Sequence, residues 1–137
     1  MKTMKADTNK KVVAFDFVLE ELYSIEPTVK PMFGCHAIYV RGKIVLMLRN
    51  KETYQYDNGV WIATTRDHHA SLRKDFPAMR TIRLFGGTES QWQNLPADSD
   101  DFEAEVMKVC KLILKGDLRV GKIPKPRRAK NRTIGQR

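Results

Sequence analysis

Residues 29–49 read VKPMFGCHAIYVRGKIVLMLR and contain three β-type runs, with a glycine after each of the first two. The runs are 29–33, 36–41 and 43–49. The last run is almost wholly apolar, which predicts a central strand buried on both faces of a sheet. The proline in the first run has no amide hydrogen to donate, which predicts an edge position for that strand. Short glycine turns between consecutive runs favour antiparallel pairing.

Helical patterns lie on both sides of this stretch. Apolar residues recur with a period of 3.6 over about residues 9–26, and Pro27 ends that pattern. A shorter helix is predicted over 66–75. A third helix is predicted over 100–115 and is ended by Gly116, a residue that commonly follows a helix C-terminus.

Between the second and third helical patterns the chain shows weaker strand signals. These signals predict that residues 54–56 extend the sheet, that Asn58-Gly59 forms a tight turn, and that 60–64 and 79–85 form strands. Residues 86–98 are predicted to be a loop. The fold class that follows is α+β, an antiparallel sheet of about five strands with N-terminal, middle and C-terminal helices packed on it.

The net charge of +9 on 137 residues lies mostly at the two ends of the chain. Residues 119–137 carry eight basic side chains and no acid, residues 1–11 carry a net +3, and residues 12–118 carry a net −2. We therefore expect one domain over 1–118, followed by a basic tail over 119–137 that is extended or disordered. Either this tail is a solvated extension or it contacts nucleic-acid phosphates. The cations available for that contact are Lys122, Lys125, Arg127, Arg128, Lys130 and Arg132. The tail contains no aromatic residue, so it favours backbone contact over base stacking.

Several classes of protein are disfavoured. No apolar run reaches 18 residues, and the N-terminal residues lack the apolar core of a secretory signal. Cys35 and Cys110 stand far apart and form no CxxC motif, which favours a reducing compartment. Together with the missing apolar run and signal, this leads us to expect a cytoplasmic protein that does not contact membranes. Cys35-His36 and His68-His69 have poor spacing for zinc, and we expect neither a metal nor a cofactor.

Catalytic patterns are missing from the sequence, which contains no GxSxG, P-loop, HExxH or GxGxxG motif. This favours a protein that is not an enzyme. The alternative is a small-molecule binder or enzyme with a pocket near Tyr54, Trp61, His68 and His69, side chains that could line a cleft.

One motif resembles a known family. Pro31-Met32-Phe33-Gly34, followed by Tyr39 and Gly42, is similar to the N-terminal-domain motif of the TfoX/Sxy family, and the resemblance covers about residues 12–118. The arrangement is also similar in outline to the small α+β domains of the YjbR-like group. The resemblance implies a non-enzymatic role linked to the regulation of DNA uptake competence. The chain departs from the family pattern at Ala37, where a second glycine is usual, and in the longer segment 50–59.

The motif also has a folding interpretation. Gly34 permits a backbone angle that is barred to other residues, or a close approach of another segment. Met32 and Phe33 are expected to point to opposite faces of the first strand.

TfoX regulators continue into a second domain where this chain ends. The partners predicted are an unidentified protein, nucleic acid bound non-specifically through the tail, and a second copy of the chain paired along the edge strand 29–33.

Overall fold

The structure, a computed structural model, describes residues 12–84 and 91–124. Within that part of the chain the helices and strands follow one another in an α-β-β-β-β-α-β-β-α order. Their bounds are α1 Phe17–Glu21, β1 Thr28–Met32, β2 Cys35–Val40, β3 Lys43–Arg49, β4 Gly59–Ile62, α2 His69–Asp75, β5 Arg80–Thr81, β6 Gln93–Pro96 and α3 Phe102–Lys115. Short 3-10 turns occupy Tyr23–Ile25, Gln55–Asp57 and Arg66–His68.

The strands form one antiparallel sheet in the order β1-β2-β3-β4-β6-β5. This confirms the α+β class with helices on an antiparallel sheet, and the described residues form six strands rather than about five. β1 lies at the edge, as Pro31 predicts, because proline cannot donate to a partner strand. No helix within the described part of the chain is both long and apolar enough to cross a membrane.

The sheet buries side chains on both faces. One face, which we call the helical face, packs against α1, α2 and α3, and its core includes Leu46, Leu48 and Val109. Full burial of a side chain of this size stabilises the fold by about 1.5–3 kcal/mol relative to leaving it exposed. The opposite face, which we call the second face, holds a smaller apolar cluster of Cys35, Ala37, Ile44, Met47, Trp61, Ala63 and Ile82. β3 contributes to both clusters, so the prediction of a doubly buried central strand is confirmed.

α3 begins at Phe102 and matches the predicted third helix closely. The hydroxyl oxygen of Ser99 accepts a hydrogen bond from the Asp101 amide at the helix start. Gly116 ends the helix with a left-handed φ of 77°. Cys110 is fully buried on the inner face of α3, and this burial raises the pKa of its thiol to about 12.

The N-terminal helix is much shorter than the predicted 9–26. Residues 12–16 are not helical, and Phe15 adopts a φ of 55°. With that backbone angle the Phe15 ring meets the Phe102 ring edge-on at 4.9 Å. The apolar period of 3.6 residues continues through residues 12–16, but the packing of Phe15 against α3 prevents a helix there.

Three of the predictions between residues 50 and 85 are wrong. Residues 54–56 do not extend the sheet but enter the 3-10 turn Gln55–Asp57. Asn58-Gly59 is not a turn, because Asn58 is extended and Gly59 begins β4. The strand predicted over 79–85 contains only Arg80–Thr81 within its described residues.

The predicted loop 86–98 contains an interior strand of the sheet. Gln93–Pro96 pairs with β4 on one side and with β5 on the other. Its polar side chains are fully buried: the Gln93 amide donates to the Thr81 hydroxyl at 2.9 Å, and the Asn94 amide donates to the Asn58 carbonyl at 3.1 Å. A search for alternating apolar residues does not detect this strand, because Gln93 and Asn94 are polar. The residues that accept their hydrogen bonds, Thr81 and Asn58, lie far away in sequence.

The described chain stays attached to the sheet beyond Leu118, the expected end of the domain. Val120 is 4% exposed, and the Thr64 hydroxyl donates to the Arg119 carbonyl at 2.7 Å. Gly121 donates to the Ala63 carbonyl at 2.7 Å. Residues 119–122 therefore belong to the domain and not to a tail.

Candidate functional site

A polar cleft of about 320 Å³ opens at one end of the sheet, between β1 and the turn that joins β2 to β3. It brings together three segments that are distant in sequence. Its lining residues are Glu26, Thr28, Lys30, Tyr39, Arg41, Gly42 and Pro124. Lys30 and Arg41 are exposed cations, and Glu26 is the one acid among these lining residues.

The position of Arg41 follows from the geometry of its turn. Arg41 and Gly42 link Val40 to Lys43 and have φ angles of 54° and 79°. Two-residue hairpins favour such positive angles because they match the twist of the paired strands. Glycine adopts them freely, whereas arginine does so at a cost of about 1–2 kcal/mol. The turn holds the Arg41 guanidinium group at the tip of the hairpin, in solvent.

Tyr39 supplies the aromatic surface of the cleft. Its side chain is half-buried and packs against the apolar cluster of the second face. The ammonium nitrogen of Lys30 stands over the ring, 4.9 Å from its centroid. An exposed cation–π contact of this kind contributes about 0.5–1 kcal/mol. The contact holds a cation and an aromatic ring together at the mouth of the cleft.

Lys122 lies in the same row of the sheet as Tyr39. Thr28 pairs with Tyr39, Tyr39 pairs with Ile44, and Ile44 pairs with Lys122. Residues directly opposite one another in paired strands share a face. Lys122 therefore projects from the second face, two strand positions from Tyr39, roughly 10 Å away at the usual strand spacing.

The neighbouring acids are already engaged with a cation. Asp117 accepts hydrogen bonds from Arg119, and this bonding lowers the pKa of the Asp117 carboxyl. Arg119 also forms an ion pair with Asp75 at 3.0 Å. Among the residues that line the cleft, Glu26 is then the one acid against the two cations Lys30 and Arg41, so the local charge is positive. We call Lys30, Arg41 and Lys122, together with Tyr39, the cationic surface.

Of the six basic residues predicted to contact phosphate, the structure describes one, Lys122. Lys122 is held in the sheet by its backbone bonds to Ile44. The described chain reaches Pro124, which lines the cleft. The other predicted phosphate contacts lie outside the described residues; they are Lys125, Arg127, Arg128, Lys130 and Arg132. They follow Pro124 directly, so the cationic surface adjoins the start of the basic segment.

The family motif occupies the two hairpin turns and the strands beside them. Phe33 and Gly34 form the β1–β2 turn, with φ angles of 54° and 76°. Phe33 is 67% exposed and lies outside the strand. The expectation that Met32 and Phe33 point to opposite faces of the first strand is therefore wrong. A side chain at Gly34 would come within 3.0 Å of the Lys51 ammonium group. Met32 is half-buried against the second face.

The structure places Tyr54, Trp61 and His69, three of the four residues of the predicted alternative pocket, in different environments. Trp61 is 1% exposed, and its indole nitrogen donates to the Asp57 carbonyl at 2.7 Å. Tyr54 is 71% exposed at the tip of the 50–58 loop. The His69 ring nitrogen meets the Gln91 carbonyl at 3.1 Å, and burial lowers the pKa of that ring. The four cavities described within residues 12–84 and 91–124 are lined by other residues.

Sequence reasoning missed a buried polar group beneath the 50–58 loop. Arg49 is 3% exposed and donates to the carbonyls of Thr53 and Tyr54 and to the side chain of Asn58. The buried Asp57 carboxylate accepts backbone hydrogen bonds from Arg83 and Leu84. These contacts fix the loop to the sheet, and they account for both buried charges through local hydrogen bonding.

Residues 12–84 and 91–124 contain no group of three or more His, Cys, Asp or Glu side chains placed to hold a metal ion. Comparison of the chain with protein-family models, with curated proteins and with solved structures gave no match.

Proposed function

We propose that this chain is a non-enzymatic regulatory or interaction module that contacts nucleic acid through its basic end, and that it is related to the TfoX N-terminal domain. The single observation that carries the proposal is the continuity of the cationic surface with the basic segment. Lys30 and Arg41 line the cleft together with Pro124, Lys122 lies two residues before Pro124, and six further cations follow in residues 125–137.

Phosphate binding explains this distribution of charge better than a solubility role does. A tail that aids solubility needs no cations on the folded body beside it. Here the folded body supplies Lys30 and Arg41 at the same place, although residues 12–118 carry a net charge of −2. A polyanion that reaches both sets of cations releases more counterions than the segment alone would release.

The cytoplasm is the location that we propose. Both cysteines are free and buried, which suits a reducing compartment. A protein partner remains part of the proposal. The outer edge of β1, which pairs with no other strand among residues 12–84 and 91–124, offers one place for it, although Pro31 removes an amide donor from that strand.

The test is the salt dependence of binding to a fluorescein-labelled oligonucleotide, measured by anisotropy on the full chain. The variant Lys30→Gln/Arg41→Gln removes two cations from the cleft. The matched control, Lys74→Gln/Lys111→Gln, removes two exposed cations from α2 and α3 and leaves the same net charge. If both cleft cations contact a single strand, the slope of log K against log salt falls by about 1.4 for the cleft variant.

A third variant replaces Lys125, Arg127, Arg128, Lys130 and Arg132 with glutamine. This variant should lose most of the part of the salt slope that the two cleft cations do not supply. Equal affinities for the cleft variant and its charge-matched control would reject the contribution of the folded body. Undiminished binding by the five-glutamine variant would reject the contribution of the basic segment.

A further inference from the structure

The cleft contains an aromatic ring as well as cations, and the ring has no evident folding role on its outer side. Tyr39 is half-buried, and one flexible lysine stands over it. At about 320 Å³ the space beside it is comparable in size to the smaller ligand pockets of proteins. A phosphate-binding surface alone would need neither the ring nor the concavity.

We propose that this cleft binds one unpaired nucleotide of a single-stranded nucleic acid, with the base stacked on Tyr39. The inference rests on the proposed function and adds the kind of strand that is bound. The basic segment after Pro124 contains no aromatic residue, so Tyr39 supplies the stacking surface that the segment lacks.

Lys30 acts as a placeholder on the ring in the free protein. A base stacked on an aromatic side chain is bound more strongly than an exposed lysine held by a cation–π contact. The flexible stem of Lys30 lets its ammonium group leave the ring and pair with the phosphate of the incoming nucleotide. After this exchange the Lys30 ammonium group contacts the phosphate, and the Tyr39 ring is accessible to the base.

The depth of Tyr39 in the sheet selects for single strands. In a duplex each base is stacked between its neighbours and paired across the helix, so the base faces are not accessible. Tyr39 lies on the face of β2 and is flanked by β1 and β3, and it does not project from a loop. A base must leave its stack to reach the ring, which costs least in a strand without a partner.

The charges around the cleft orient the nucleotide. Arg41 lies at the hairpin tip, and Lys122 lies in the Tyr39 row on the side of β3. Glu26 lines the cleft on the side of β1 and disfavours a phosphate there. The backbone of the strand therefore runs along the Arg41 and Lys122 side, and the flexible side chain of Lys30 reaches its phosphate from β1. Removal of the Glu26 carboxylate should strengthen binding, the opposite of the effect of removing Lys30 or Arg41.

The experiment measures anisotropy of the full chain with labelled strands of about ten nucleotides, a length that spans a single-domain site. The probes are an oligothymidylate, an oligouridylate, a duplex of the same length, and an oligothymidylate that carries abasic positions. We expect the single strands to bind more tightly than the duplex, and the abasic strand to bind about tenfold more weakly than its intact parent. The thymidylate and uridylate arms show whether DNA or RNA is preferred.

Protein variants test the same contact from the other side. Tyr39→Leu should lose about tenfold in affinity for the intact strand, whereas Tyr39→Phe keeps the ring and should retain it. Tyr54→Leu, at an exposed tyrosine outside the cleft, is the matched control and should bind as the parent does. Circular dichroism checks folding, and the abasic probe reports on the unaltered protein should Tyr39→Leu fail to fold.

The outcomes separate this inference from the proposed function. If the duplex or the abasic strand binds as tightly as the intact single strand, the stacking site is rejected, while loss of affinity in Lys30→Gln/Arg41→Gln would still support the phosphate contacts. If none of the probes binds at low salt, both proposals fail. Greater affinity of Glu26→Gln for single strands would support the orientation given above.

Discussion

Ile44 and Lys122 exchange both of their backbone hydrogen bonds, each 2.9 Å long. The pair fills the space beside β3 that β4 leaves when it ends at Ile62. Without it, the first residues of an interior strand would face solvent with unpaired amide and carbonyl groups. The segment after α3 therefore completes the sheet, and it places the cation Lys122 in the same row of the sheet as Tyr39.

Truncation should show where the domain ends. A chain that stops at Leu118 loses the Ile44–Lys122 pair, the Gly121–Ala63 bond and the burial of Val120. We expect its free energy of unfolding to fall by about 3 kcal/mol or more, from several backbone hydrogen bonds of about 1 kcal/mol each and one buried valine. A chain that stops at Pro124 should keep the parent value. Urea unfolding followed by tryptophan fluorescence measures both, and equal stabilities would contradict the assignment of 119–122 to the fold.

The sheet order near its edge could be predicted from sequence because the signals there are local. The run 43–49 is apolar throughout, and glycines mark both hairpin turns, so the pairing of β1, β2 and β3 follows from neighbouring residues. The helix over 100–115 has a clear apolar stripe and a glycine stop. None of these elements depends on a partner that is distant in sequence.

The cleft and the sixth strand could not be predicted, because both depend on distant contacts. Gln93 and Asn94 look like loop residues until Thr81 and Asn58 supply their hydrogen bonds. Lys122 looks like part of a tail until Ile44 pairs with it. Tyr39 and Gly42 were selected only as parts of a family motif, and their place beside Lys30 emerges from strand register.

Gly59 should be intolerant of any side chain. Its φ is 146°, and a methyl group there would come within 2.2 Å of the Leu95 carbonyl oxygen. We expect Gly59→Ala to lose more than about 3 kcal/mol of stability, because backbone of the central sheet must move. Gly42→Ala is the control: its φ is 79°, but nothing lies within 4 Å of the new methyl group, so the loss should be about 1–2 kcal/mol. Similar thermal shifts for the two variants would show that β4 and β6 adapt more easily than this contact distance implies.

The Asp57 carboxylate should be important for the 50–58 loop. It accepts bonds from the Arg83 amide at 3.0 Å and the Leu84 amide at 2.9 Å. Asp57→Asn places an amide group against those donors, and we expect a loss of about 1.5–3 kcal/mol, the range for hydrogen bonds to a charged group. Asp98→Asn, whose side chain is 67% exposed, should change stability by less than about 0.5 kcal/mol. Urea unfolding measures both losses.

Trp61 gives a second readout for that variant. Its indole nitrogen donates to the Asp57 carbonyl, so a shift of the loop should change the fluorescence maximum of the folded protein. A variant with unaltered stability and an unaltered emission maximum would mean that the carboxylate is dispensable to the loop.

Glu105 should make stability depend on pH. It is 7% exposed on α3, and one carboxylate oxygen, Oε1, has no hydrogen-bond partner within the described part of the chain. Burial raises the pKa of this carboxyl above its ordinary value; the hydrogen bond from the Ala78 amide partly opposes this effect, and the charges of Asp101, which raises the pKa, and Lys108, which lowers it, have smaller effects. The folded protein therefore holds this proton to higher pH than the unfolded chain does.

The sign of the effect follows by linkage. The contribution of Glu105 to stability is complete below the ordinary glutamate pKa and is lost as pH rises through the raised value. Glu105→Gln carries no charge, so it should be more stable than the parent at neutral pH, and the difference should shrink on acidification to about pH 4. Glu103→Gln, on the exposed face of the same helix, should show no such trend. Urea unfolding across this pH range decides the matter: a glutamine variant that is less stable than the parent at neutral pH, by an amount independent of pH, would mean that the buried carboxylate carries no net cost.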